Sequence, residues 1–505
     1  MDVASILTSP TTWIFGGLGL LYSLYKYGTH TFDYFSNQGI PGPKPVPFFG
    51  NLWGIWRKNF VRHDADLVKE YGKTFGFFEG LTPNLFVSDA EFIKNVLVKD
   101  FDHFINRRSF EVRSKYFRKM ISLIRDDEWK EVRSSVSPTF TTGKIKRMSV
   151  LIKRCSDLLA DKLMKAAGES GKVNAKEVFS TFTMDVISKC AFGMEINNLG
   201  QEDDPFMKNA KFIFNQPVNK SPFIVIPFAF PKLSALLGDR IFVTKEFMFF
   251  VDLLINITKE RASSDKKYND FIEVAAESIS EIVREVNGNQ VQFTREEVDE
   301  IVIAQSSIFL LAGFDTTATT LTNACYLLAK NPHVQERLHE EIMSKVEQYG
   351  DVSHEMILDF PYVDQVVHEV LRMYSPVPRL ERECNKDITY NGIVIKKGII
   401  ISVPTYSVHY SEEYYPNPEK FDPDRWAPEN KHNLNPNTFL PFGLGPRNCI
   451  GMRFAMEELK IALCSIVKKL RFYPVEETPD KLEFEDGLLT VIQPIHAIVG
   501  VELRA

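Results

Sequence analysis

The chain has no paired cysteines. Its six, Cys155, Cys190, Cys325, Cys384, Cys449 and Cys464, are scattered, with no C-x-x-C and no Cys/His spacing of the zinc type. This excludes a zinc-knit or disulfide-stapled scaffold and points the folded part toward a reducing compartment. Positive charge is not in excess either. Sixty Lys and Arg against 66 Asp and Glu leave a formal net charge of −6, which excludes a nucleic-acid binder driven by bulk charge and leaves only local basic patches as docking surfaces. No flavin or nicotinamide fingerprint is present, so nothing in the sequence marks a flavin or nicotinamide site of its own. There is no internal repeat, and the sequons beginning at Asn219 and Asn256 would matter only in a lumen.

What the chain does have is forty phenylalanines, enough for a large aromatic core, and an uncharged front. Its 505 residues allow more than one domain or one large enzyme with a buried cofactor. From Val3 to Tyr25 no residue is charged, and the part after Pro10 is apolar with aromatic residues at both ends, as a bilayer helix requires. A cleaved leader and a buried helix are the competing readings. Asp2, the lack of Lys or Arg before the apolar stretch and the lack of an A-x-A-like exit favour the anchor. Lys26, Lys44, Arg57 and Lys58 all follow the segment, which leaves the bulk of the chain cytosolic. Residues 40–50, IPGPKPVPFFG, hold four prolines within seven positions and predict a stiff extended connector. The expected division is an anchor over 1–27, a proline-rich linker over 28–50 and a catalytic domain over 51–505.

Beyond residue 51 apolar residues recur at three-to-four spacing over 114–135, 144–167, 174–191, 241–262, 295–329, 332–347 and 362–373, which predicts helices. Residues 75–88 read as a hairpin turning at Pro83-Asn84, and 388–403 alternates with a turn at Asn391-Gly392. Stretches 262–268 and 427–436 read as polar loops. The class is mainly α with a minor β portion.

Residues 442–451 read FGLGPRNCIG and have the spacing to hold a haem iron by one thiolate, that of Cys449. Gly443, Gly445 and Gly451 remove Cβ atoms where backbone N–H groups must approach sulfur, and Arg447 can reach an anionic porphyrin edge. A buried free Cys on a glycine-rich turn is the bland alternative. Upstream, 301–322 form a long, almost uncharged helix whose polarity is broken by Asp315 beside Thr316. An acid–alcohol pair suits delivery of two protons to iron-bound dioxygen. Alternatively the threonines back-bond to helix carbonyls and Asp315 caps a neighbouring loop.

With Phe442, Gly443, Gly445, Arg447, Cys449 and Gly451 in register, the chain resembles a cytochrome P450. The likeness runs from the proline-rich hinge to the C-terminus, through NRRSF, DDEWKEVRSSVSPTFTTGKIKRM, RLERECNKD, NGIVIKKG and FGLGPRNCIGMRFA. These are similar to an animal microsomal clan of drug and steroid oxidases, arthropod detoxification enzymes and thromboxane synthase.

The resemblance implies the cytochrome P450 fold after one N-terminal transmembrane helix, and haem b (iron protoporphyrin IX) bound through Cys449. It implies that Arg107, Trp129, Arg133, Arg382 and Arg447 serve the propionates, with Arg suited to a carboxylate by its planar fork. It further implies a buried Glu369–Arg372–Arg425 network holding the cysteine loop, here with Asp424 and Trp426 where Glu and Phe are commoner in the family. Phe110, Ser122, Leu123, Ile308, Leu311, Ala312, Val377 and Leu488 would line the substrate pocket. The implied activity is NADPH-driven monooxygenation of xenobiotics, steroids or other lipids, at the endoplasmic reticulum membrane.

An isomerase of the thromboxane synthase type and a non-catalytic haem carrier or sensor are the alternatives, and retention of Asp315-Thr316 favours the oxygenase. NADPH–cytochrome P450 reductase and cytochrome b5 are the expected partners. Lys130, Lys144, Lys146, Arg147, Arg453, Lys460, Lys468 and Lys469 are the candidate docking cations. The apolar stretch 221–231, SPFIVIPFAFP, reads as a bilayer contact at a substrate entrance or as plain core.

Overall fold

The computed structural model describes residues 10–56, 58–108, 112–196, 199–201, 204–215, 229–230, 242–263, 267–268, 270–286, 289–485 and 491–504. Helices dominate: α1 Pro10–Tyr27, α2 Phe60–Tyr71, α3 Asp126–Val136, α4 Thr142–Asp157, α5 Leu159–Ala167, α6 Ala175–Phe192, α7 Lys245–Ala262, α8 Arg295–Lys330, α9 Pro332–Tyr349, α10 Pro361–Met373 and α11 Met452–Val467. Strands β1 Thr74–Glu79, β2 Thr82–Val87, β3 Lys172–Asn174, β4 Arg379–Glu383, β5 Ile388–Tyr390, β6 Ile393–Ile395, β7 Ile400–Pro404, β8 Leu470–Tyr473 and β9 Ile498–Leu503 form the minor part.

The axis of the core is α8. A capping box starts it: the Glu297 N–H donates to Thr294 Oγ1, while the Thr294 N–H donates to Glu297 Oε2 at 2.8 Å. Several of its hydroxyls are satisfied inside the helix, Ser307 donating to the Ile303 carbonyl at 2.8 Å and Thr322 to that of Ala318 at 2.8 Å, which helps the helix to be buried on nearly all sides, although the buried Ser306 hydroxyl has no partner among the described residues. Around it pack α6, α7, α10 and α11. Among the described residues α8 is the helix long and apolar enough to cross a membrane, and its burial makes it a core helix instead. The N-terminal helix α1 differs, since Trp13, Phe15, Leu20 and Leu21 stand exposed on it.

One sheet has the order β1-β2-β7-β4, with β2 and β7 parallel and the outer pairs antiparallel. The proline-rich segment lies along β1: the Gly76 N–H donates to the Pro41 carbonyl at 2.8 Å, and a Cβ on Gly42 would sit 2.1 Å from the Gly76 oxygen. The connector is therefore fastened to the globule. Ala229 and Phe230, the described residues of 221–231, pack with Leu52, Phe75, Phe77 and Phe86, which is the core alternative for that end of the segment. The rest of 221–231 lies outside the described residues.

Three expectations need correction. The β1–β2 turn falls at Gly80-Leu81, not Pro83-Asn84: Pro83 pairs with Phe78, just beyond the β2–β7 pairing that begins at Asn84, where its missing N–H costs no ladder bond. The helix expected over 114–135 is two, Lys115–Arg118 and α3, because backbone groups at Lys119, Ile121 and Ile124 bond to Gln305 and Arg447 instead of to the next turn. The helix expected over 144–167 breaks at Leu158 into α4 and α5. Helices α2, α11, Pro205–Phe214 and Phe271–Ser280 were not expected; α11 is buried from Glu457 to Leu459 and Ile461 to Val467, so it lacks the polar face that makes periodicity visible. The Asn391-Gly392 turn of β5–β6 stands as expected, both residues having positive φ (49° and 81°).

Candidate active site

The loop of Cys449 is closed by two backbone bonds, Cys449 N–H to the Phe442 carbonyl at 2.7 Å and Gly443 N–H to the Leu440 carbonyl at 2.9 Å. Gly443 and Gly445 have φ of 72° and 74°, and a Cβ at Gly445 would lie 1.9 Å from the Leu97 oxygen, carried on the π-helical turn Asn95–Lys99. Phe442 is half-buried against the main core. Gly451 caps α11, so Sγ stands at a helix N-terminus and accepts from the Gly451 N–H. Of the six cysteines Cys449 is the exposed one; the other five are buried. Even so, surrounding protein pushes its thiol pKa up, against the opposing pull of the Gly451 N–H, Arg107 and Arg133.

Four guanidiniums gather at this loop, and among the described residues none of them pairs with a carboxylate. Arg447 is buried, donates to the carbonyls of Ile105 and Ile124 at 2.6 Å each, and lies 4.9 Å over the Trp129 ring. Arg107 donates to the Arg447 carbonyl at 2.9 Å, and Arg133 to Asn448 O and Oδ1 at 2.9 and 3.0 Å. Among the described residues Arg382, on β4, bonds the Glu381 carbonyl alone, at 2.9 Å, and leaves its Nε unpartnered, as does Arg447. Burial and mutual repulsion lower all three pKa values for which the neighbours are cations: Arg107 with Arg133 beside it, Arg382 well down beside Arg107 and Arg447, and Arg447 to about 9. Arg108 is different, being held by Glu79 and Glu381, so of the adjacent pair it is Arg107 that joins the cluster.

Behind the loop, Glu369 and Arg372 of α10 are fully buried and doubly bonded at 2.8 and 2.9 Å. Arg425 Nε reaches Glu369 Oε1 at 3.4 Å, and the Trp426 indole N–H donates to Oε2 at 2.8 Å. Asp424 turns outward to Arg337 at 2.7 Å. His409, which the sequence reading missed, extends the network: its Nε2 accepts from the Leu440 N–H at 2.9 Å, so Nδ1 carries the proton donated to the Arg372 carbonyl at 2.9 Å.

On α8, Ala312 is exposed and Gly313 and Thr316 are half-buried, an accessible strip in an otherwise buried helix. The Thr316 hydroxyl donates to the Ala312 carbonyl at 2.7 Å, the back-bond read as the bland alternative. Asp315 is buried and, among the described residues, accepts from no loop backbone N–H. It accepts from Lys176 of α6 at 2.6 Å and from Gln493 at 3.1 Å, two partners the sequence reading missed. Burial lowers the Lys176 pKa, opposed by Asp315. Ile308 and Leu311 lie on the same helix, Ser122 and Leu123 in the turn before α3 and Val377 between α10 and β4; Phe110 and Leu488 lie outside the described residues. Of the candidate docking cations Lys130, Lys146, Lys460 and Lys468 are ion-paired, whereas Lys144, Arg147, Arg453 and Lys469 have no ion pair among the described residues.

The Cytochrome P450 family model matches residues 40–499. The chain belongs to the cytochrome P450 family. It is 39% identical over 483 residues to Cytochrome P450 3A31 of Mesocricetus auratus, spanning 95% of this chain and 94% of that one. It is 38% identical over 504 residues to Cytochrome P450 3A2 of Rattus norvegicus (98% and 97%), and 36% over 496 residues to Lithocholate 6-beta-hydroxylase of Mesocricetus auratus (97% and 96%). This P450 is a haem-thiolate monooxygenase with haem b as its cofactor, acting on lipophilic substrates with electrons from a redox partner. The residues present fit that group. Four unpaired cations, two with orphaned Nε atoms, suit a dianionic porphyrin edge, and the exposed sulfur suits an axial ligand.

Two outcomes follow. Gly445→Ala adds about 1–3 kcal/mol of backbone strain besides its clash with Leu97, so haem content per mole of purified protein should fall while Gly16→Ala leaves it unchanged. His409 has its pKa pushed down to about 3 by burial and the Arg372 charge, against 6.5 in the unfolded chain. The unfolded state thus takes up the proton first, and stability present above pH 6.5 is lost as pH falls toward 3. Denaturation midpoints measured across that range should fall less steeply in His409→Asn.

Proposed function

We propose that this P450 is a single-pass endoplasmic reticulum enzyme whose catalytic unit, residues 51–505, faces the cytosol and oxidises lipophilic xenobiotics, steroids or other lipids. The anchor reading rests on α1, whose 18 residues span about 27 Å, expose apolar side chains and carry Lys26 in the last turn. Residues 28–50 join it to the globule. NADPH–cytochrome P450 reductase supplies the electrons, with cytochrome b5 as a second donor, attracted by Lys144, Arg147, Arg453 and Lys469.

When bound, haem supplies a thiolate-ligated iron that activates dioxygen and cleaves its O–O bond. Cys449 holds it; Arg107, Arg133, Arg382 and Arg447, with Trp129, orient its propionates; Glu369, Arg372 and Arg425 keep the loop in shape. The observation that carries the oxygenase reading over an isomerase or a carrier is the fixed acid beside the accessible alcohol. A buried acid held by a half-buried lysine is costly, and proton supply gives it a use.

Lys176, its charge disfavoured by burial, gives up a proton at less cost than a surface lysine. Asp315 receives it at Oδ1, and Thr316, one residue on and facing the open strip, passes it to the substrate side. Ser122, Leu123, Ile308, Leu311, Ala312 and Val377, together with Phe110 and Leu488, give the substrate an apolar lining with few fixed hydrogen bonds, which suits breadth.

In reductase-supported turnover, Thr316→Ala should send NADPH electrons to peroxide and Lys176→Met should lower the product formed per NADPH. Fully coupled turnover in both variants would remove the relay.

A further inference from the structure

The segment between Lys115–Arg118 and α3 is held from two sides by bonds that the oxygen chemistry does not use. Gln305, fully buried on α8, spends both of its polar atoms there: Oε1 accepts from the Ile121 N–H at 2.8 Å, and Nε2 donates to the Lys119 carbonyl at 2.5 Å. Five residues earlier on the same helix, Glu300 accepts from Lys115 at 2.5 Å and Lys119 at 2.8 Å. From the opposite side Arg447, two residues before Cys449, donates to the carbonyls of Ile121 at 3.4 Å and Ile124 at 2.6 Å. The Ile121 residue therefore gives its N–H to the distal helix and its C=O to the cysteine loop. Ser122 and Leu123 sit between these fixed points.

We infer that Gln305 is a specificity-determining positioning residue, which fixes the substrate-facing turn at Ser122 and Leu123 between α8 and the Cys449 loop. The inference rests on the reading of those two residues as pocket lining. A buried amide is tolerated only when paired, and among the described residues both atoms of this one are paired to the turn alone. Glu300 assists by neutralising the two lysines that precede the turn. Replacing Gln305 by an apolar residue of similar size leaves α8 packed but orphans the Ile121 N–H and the Lys119 carbonyl. The turn must then shift, and the space above the haem changes shape.

The test uses the full-length haem-loaded enzyme and a series from 1-methylimidazole to 1-dodecylimidazole, whose ring nitrogen binds the iron while the tail reports the space beyond it. Spectral titration should show Gln305→Leu changing the affinity of the long-tailed members by about tenfold, with 1-methylimidazole unchanged and the thiolate Soret band of the reduced carbon monoxide complex retained. Glu300→Gln, on a partly accessible side chain, should shift the same members in the same direction by less, and stands in if Gln305→Leu does not fold.

Leu123→Ala separates the two claims. If it alters the long-tailed members while Gln305→Leu and Glu300→Gln do not, the positioning role is wrong and the lining reading stands. If Leu123→Ala leaves the whole series unchanged, the lining reading fails and the inference with it. A uniform loss across the series in Gln305→Leu, or loss of the thiolate band, would assign Gln305 to the haem site as a whole and overturn the proposal.

Discussion

Everything at the cysteine side depends on one buried carboxylate, that of Glu369. Left alone, a fully buried charge of this kind would cost several kcal/mol; here Arg372, Arg425, the Trp426 indole and the Asp422 N–H share its two oxygens. In taking up Glu369, Arg372 also fixes the carbonyls of His409 and Pro418, so one ion pair ties α10 to two stretches of otherwise irregular chain. His409 carries the constraint to Leu440, and Leu440 accepts from Gly443 at the head of the loop. The loop can then hold positive φ at Gly443 and Gly445 without secondary structure of its own. Such a pair adds little net stability compared with an apolar substitute, but it restricts the chain to one arrangement.

The opposite requirement governs the guanidinium cluster. Arg107, Arg133, Arg382 and Arg447 gather at the cysteine loop with carbonyl oxygens as acceptors and, among the described residues, no carboxylate. The contrast with Arg108 and Arg379, both locked to acids, separates cations that organise the protein from cations that, under the proposed function, meet an anionic ligand. Arg447 does both. It faces the cluster, stacks on Trp129 and grips the turn that α8 holds from above.

The helical class, α8 itself, the β5–β6 turn and the Cys449 loop were legible in the sequence because each has a local signature: periodicity, an Asn-Gly pair with positive φ, glycines at fixed spacing. Partners separated by long stretches of chain were not. Nothing near Asp315 announces Lys176, 139 residues away, or Gln493, 178 away. His409 and Gln305 have no motif at all, and their meaning comes from backbone groups they meet in the fold. The break in the helix expected over 114–135 has the same origin, since its apolar spacing is helical and tertiary bonds from Gln305 and Arg447 override it. The hairpin turn was misplaced because Pro-Asn is a turn signal, whereas Pro83 here sits where a strand needs no N–H.

The proposed function has one indispensable assignment, Cys449 as the thiolate ligand of the haem iron. Its most direct test is the absorption spectrum of the dithionite-reduced carbon monoxide complex of the full-length protein and of Cys449→Ala. A red-shifted Soret band in the native chain that is lost in the variant is the result expected. A native band at the position given by imidazole or other neutral ligands, or a red-shifted band that persists without Cys449, would contradict it.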